Sequence, residues 1–144
     1  MLVQGLFNLM NANAGIHALV GTPATRSDGA PGIFPLLAPK QVTLPYLVYF
    51  QRSGQLVTCL PAGTNSEQDA VFFIWCFAAD YPTIKTLSKA VWNLFNGFTG
   101  TLSDGSTIRT CFARYMPDDM NKNLAGTIYG TCVKLEIIFT DSGT

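Results

Sequence analysis

Few residues in this chain are placed to do chemistry. His17 is the only histidine. A general base needs a nucleophile and an orienting acid beside it. No acid lies within one helical turn of His17, so a plain helix residue is the simpler reading. Asp118-Asp119 is the one adjacent pair of carboxylates. Paired acids can hold a metal ion or exchange protons. Here they sit in a Pro-Asn-Lys stretch with no further acid near, which suits a solvated loop or a contact loop. Asp104-Gly105-Ser106 superficially suggests a calcium loop. It lacks the alternating acids and late glutamate of an EF-hand and reads as a turn.

The four cysteines are Cys59, Cys76, Cys111 and Cys132. None falls in a Cys-x-x-Cys pair, so the spacing does not describe a zinc site. The last three lie in apparent strands, where a thiol behaves as a small apolar group. No Gly-x-Gly-x-x-Gly, Gly-Lys-Ser/Thr or Gly-x-Ser-x-Gly occurs. Arg52 and Arg114 each end a strand-like run. They are read as solvated charges or as partners for acids on a neighbouring subunit. Trp75 and the phenylalanines at 72, 73 and 77 are core material before they are a ligand pocket. The expectation is a protein that is not an enzyme and takes no cofactor and no metal.

The elements that carry these residues are clearer than the residues themselves. Ala70–Ala79 is apolar at every position, so both faces of that strand want cover. Asp80-Tyr81-Pro82 opens a helix, with Asp80 placed to accept from an amide of the first turn. Ile84, Leu87, Val91, Leu94, Phe95 and Phe98 then recur at helical spacing. Asn96-Gly97 stops the helix, with Gly97 suited to the left-handed conformation.

Residues 2–12 form an amphipathic pattern, and Asn13 can cap a second short helix over 14–20. Residues 22–32 read as a loop, 33–37 as a short edge strand and 38–43 as a loop. Pro45–Gln51 is a strand, interrupted at Ser53-Gly54 and able to resume to Thr58. Cys59–Asp69 is a polar connection. Residues 99–102 and 107–115 flank an Asp-Gly turn, a hairpin signal. Met116–Gly126 reads as a loop. Thr127–Thr140 is the longest strand, with Tyr129, Thr131, Val133, Leu135, Ile137 and Phe139 on one face. The fold class expected is α+β, a mostly antiparallel sheet with helices packed on one face, as a single domain over residues 1–144.

Composition bounds the partners. Nine basic and nine acidic residues cancel, and no basic stripe points to nucleic acid. Charged residues make up 12% of the chain, about half the usual share. A surface so poor in charge is expected to be partly buried against other subunits. The N-terminus lacks the basic and long apolar regions of a signal peptide. No run is long enough to cross a bilayer as a helix.

The order of these motifs resembles the tail terminator, or tail completion, proteins of tailed bacteriophages and gene transfer agents. The residues that carry the resemblance are the N-terminal helix followed by Ala14-Gly15-Ile16-His17-Ala18-Leu19-Val20-Gly21 and the run Leu44–Gly54 ending in Arg52-Ser53-Gly54. With them go Trp75-Cys76-Phe77-Ala78 before Tyr81, and Leu94-Phe95-Asn96-Gly97-Phe98-x-Gly100. A long alternating C-terminal strand completes the pattern. The resemblance implies a virion protein at the head–tail junction, assembled in the host cytoplasm. It forms a ring, usually of six subunits, that caps the tail tube, ends its polymerisation and docks the head. The implied partners are further copies of the chain, the tail tube protein and a head completion protein, with DNA passing through the ring. Another head–tail connector or head completion adaptor is the alternative. The contact residues expected are Arg52, Cys59, Asn65, Glu67, Arg114, Asp118, Asp119 and Lys122, in the polar connections and at strand ends, where binding residues concentrate.

Overall fold

The computed structural model describes residues 2–20, 32–35, 45–57, 67–103, 105–116, 119–123 and 126–140. In chain order these form α1 (Leu2–Ala12), α2 (Ala14–Val20), β1 (Ile33–Pro35), β2 (Tyr46–Val57), β3 (Glu67–Ala78), α3 (Tyr81–Phe95), β4 (Gly100–Thr101), β5 (Thr107–Tyr115), β6 (Asp119–Asn123) and β7 (Gly126–Thr140). One sheet runs β1-β2-β3-β7-β5-β4, with β6 paired to β7. All pairings are antiparallel except β1 with β2. The α+β architecture expected from the sequence is present.

The register explains the layers. Successive strand residues point to opposite faces. Leu47 and Tyr49 of β2, Ala70, Phe72, Ile74 and Cys76 of β3, and Val133, Leu135, Ile137 and Phe139 of β7 are buried on one side. There they meet Leu6, Met10, Ile16 and Val20 of α1 and α2 and Leu87, Val91 and Phe95 of α3. This is a single core between the helices and one face of the sheet.

α3 follows its sequence signals. Asp80 is extended and its Oδ1 accepts from the Thr83 amide at 3.2 Å. Pro82 lies in the first turn, where its missing N–H costs nothing. Gly97 closes the helix at φ 76°, a conformation that glycine adopts without strain. The strands β4 and β5 pair as the expected hairpin, from Gly100↔Ile108 to Thr101↔Thr107. Gly105 stands at φ 95°, and Leu102 N donates to Ser106 O at 2.7 Å. Asn8 Nδ2 of α1 donates to Ser103 Oγ at 2.8 Å, which ties that turn to the helical layer.

Three expectations are corrected. Residues 116–126 are not all loop: Asp119–Asn123 is β6, paired from Asp119↔Gly130 to Asn123↔Gly126. Asp119 and Lys122 are therefore strand residues. Their polar sequence has little strand preference, and the pairing with β7 imposes the conformation. Glu67 likewise belongs to β3, opposite Val57 and Thr140, rather than to the connection before it. Ser53-Gly54 does not interrupt β2. The register shifts between Gln51 and Ser53, a bulge that lets pairing continue to Val57.

Candidate assembly surface

The face of the sheet turned away from the helices carries a second set of large side chains. Tyr46, Val48 and Phe50 of β2 and Val71, Phe73, Trp75 and Phe77 of β3 alternate with the core residues. Lys134, Glu136 and Ile138 do the same on β7. Val48 and Cys132 are buried, while Tyr46, Phe50, Val71, Phe73, Trp75 and Phe77 are only half-buried. Their rings hold one another in place. Tyr46 and Phe77 lie 5.1 Å apart between centroids, and Trp75 stacks on Phe77 at 5.9 Å and 13°. Phe34 meets Tyr46 edge-on at 6.2 Å, and Phe50 meets Phe73 edge-on at 5.7 Å. Such contacts add to area burial and order the rings.

Toward β5 the same face becomes mixed. Phe112 is 59% exposed. Glu136 Oε1 receives Lys134 Nζ at 3.4 Å and Arg114 Nε at 3.9 Å. Arg114 thus meets an acid of its own chain, at a distance and exposure where an ion pair contributes little. A shallow depression of roughly 250 Å³ is lined by Asp69, Val71, Thr110, Phe112, Glu136 and Ile138. Its two carboxylates are not joined by a third ligand. Among the described residues no group of three His, Cys, Asp or Glu is gathered as a metal ion would need.

The remaining candidates are scattered. Arg52 is exposed beside the β2 bulge, far along the sheet from Asp119 and Lys122 on β6. Glu67 begins β3 at the opposite end of β7 from Asp119. The five expected contact residues that are described therefore do not form one cluster; Cys59, Asn65 and Asp118 lie outside the described residues. His17 is on α2, with its side chain outside the description. Of the aromatic row and the Lys134–Glu136–Arg114 group, only Arg114 was among the expected contacts. The alternation of Val71, Phe73, Trp75 and Phe77 with Ala70, Phe72, Ile74 and Cys76 was the available signal.

Cys76, Cys111 and Cys132 are free, buried thiols. Burial pushes all three up, Cys111 and Cys132 to about 12. For Cys132 a backbone hydrogen bond at Ile74 partly offsets that rise. A thiol held protonated is a poor nucleophile at neutral pH. Among the described residues no helix is long and apolar enough to cross a membrane.

No protein-family model matches the sequence, and no curated protein matches it. Among solved structures, one chain of the virion of a native gene transfer agent particle has a similar fold. The TM-score is 0.60 at 15% identity, over 94% of this chain and 91% of that one. At that identity the likeness is one of fold.

Proposed function

We propose that this chain is a structural subunit of a phage-like particle. Copies close into a ring of about six that caps the tail tube, ends its polymerisation and offers the head a docking surface. The observation that carries the reading is the fold shared with a virion chain over 94% of the length. The open aromatic face supports it, because obligate interfaces resemble a domain core cut in half. So does the 12% share of charged residues. Among the described residues the polar groups are scattered and offer no competing catalytic arrangement.

The test is the assembly state of the purified chain, alone and mixed with tail tubes, by native mass spectrometry and negative-stain microscopy. The expected result is a closed ring of about six 15.6 kDa subunits, free or seated on tube ends. A chain that remains monomeric with tubes present overturns the reading. A ring bound to the portal side of tail-less heads, and not to tubes, would make it a head completion adaptor instead.

A further inference from the structure

The sheet treats its margins unequally. Beyond the two pairs that β5 makes with β4, the outer edge of β5 is met by the end of α3. Gly97 N donates to Cys111 O at 2.8 Å. Trp92 Nε1 donates to Ala113 O at 3.2 Å, and Ala113 N donates to Asn96 Oδ1 at 3.2 Å. An edge occupied in this way does not accept another strand.

Two other edges have no such cover among the described residues. β1 pairs with β2 only from Leu47 to Tyr49, so Ser53–Val57 has no strand on its outer side there. β6 pairs only with β7, which leaves its own outer side without a strand. Moreover, β3 ends at Ala78, opposite Tyr129, so Gly126–Ile128 pair with β6 alone. That end of the sheet is a two-stranded ribbon, and such ribbons are marginal in water without a third strand.

The two edges differ from each other and lie at opposite margins. They are also offset along β7: Asn121 stands opposite Ile128, whereas Gln55 stands, through Asp69, opposite Ile138. A head-to-tail contact requires two different surfaces on each copy. Closing a sheet on itself requires the strands to tilt and their register to stagger. Edges at opposite margins and opposite ends meet both conditions. We infer that β6 of one copy adds as a strand to the Ser53–Val57 edge of β2 in the next copy, joining the subunit sheets into one sheet around the ring. Backbone hydrogen bonds supply the affinity of such strand addition.

This inference rests on the ring reading, and one experiment separates the two. In a Cys59→Ser background of the full chain, a cysteine at Ser53, Gln55 or Val57 is combined with one at Asn121 or Lys122. Using both β6 positions samples both side-chain directions. Strands paired edge to edge bring Cβ atoms within disulfide reach. The expected result after mild oxidation is a covalent ladder up to the ring size on a non-reducing gel, from at least one combination and from neither single variant. A ring seen by native mass spectrometry with no ladder from any combination overturns the strand pairing and leaves the ring reading standing. A monomer in every condition overturns both.

Discussion

The ring of Phe77 lies directly over the backbone of Gly130 on the neighbouring strand. A Cβ placed at Gly130 would stand 3.0 Å from Phe77 Cε1 and 3.1 Å from Cδ1. The glycine leaves room for the ring against β7, and in that position the ring is stacked on by Trp75 and met at a tilt of 32° by Tyr46. An aromatic side chain covering a strand glycine also shields its backbone from water.

Gly130→Ala should therefore lower stability by about 1 kcal/mol, the low end for overpacking where a half-buried ring can swing aside. The displaced ring loses its contact with Tyr46, so the near-ultraviolet dichroism should change with it. Phe77→Leu should remove most of the penalty when combined with Gly130→Ala. Urea unfolding of the two single variants and the double variant measures the coupling. Additive costs would mean that the two residues do not constrain each other.

The junction of α3 with β5 makes a second prediction. Ala113 presents both backbone groups to α3, and Asn96 and Trp92 meet them. Asn96→Ala leaves the Ala113 amide without its partner and should cost about 1 kcal/mol. Trp92→Phe keeps the ring over Tyr115, stacked at 6.0 Å, but loses the bond to the carbonyl, at a similar cost. The double variant should also be prone to association through the bared β5 edge, read as concentration-dependent light scattering.

These two relationships show what could be read in advance. The signals of α3 are local: Asp80, Pro82 and Gly97 each act within a turn, and the helix forms where they place it. The alternation within β3 and β7 likewise set the core face, because burial has a period of two. What could not be read depends on pairing between distant segments. β6, Asp-Met-Asn-Lys-Asn, has no alternation and becomes a strand only against β7. The pairing of β1 with β2 is parallel over three residues, too short to leave a pattern. Arg114 was legible as a strand-end charge. Its neighbour Glu136 follows from the β5–β7 register, which shifts at a bulge between Ile108 and Thr110. An all-apolar β3 implied two covered faces, whereas its second face is only half-buried within the chain.

The buried thiols predict how stability changes in alkali. Cys111 and Cys132 are raised from an ordinary value of 9.0 to about 12. The folded chain thus keeps protons that the unfolded chain releases above pH 9. Their contribution to stability is complete below that value and is lost as pH rises toward 12. Each thiol adds a slope of at most about 1.4 kcal/mol per pH unit in that window. Tyr46 and Tyr49, also raised by burial, act in the same direction above their ordinary value of 10.0. Urea unfolding from pH 7 to 10.5 should show a plateau and then a fall. Replacing both Cys111 and Cys132 with alanine should make that fall shallower, leaving the part due to Cys76 and the two tyrosines; an unchanged slope would mean that the two thiols are open to solvent.

Phe112 separates folding from assembly. It lies on the open face, 59% exposed, beside the depression it shares with Val71, Glu136 and Ile138. The folded monomer gains little from so exposed a ring, so Phe112→Asp should cost the monomer only about 1 kcal/mol, from the weak strand preference of aspartate and from Glu136 directly opposite. If that face is buried between subunits or against a partner, the same change places a carboxylate in an apolar contact near Glu136. A buried, unpaired charge beside a like charge is costly. Ring formation should then weaken at least tenfold in concentration dependence, well beyond the small change in melting of the dilute chain. Phe112→Leu, which keeps the apolar contact, should retain assembly. Full assembly by the Phe112→Asp chain would show that this part of the face stays open to solvent in the particle, leaving the aromatic row from Phe34 to Trp75 as the part available for burial.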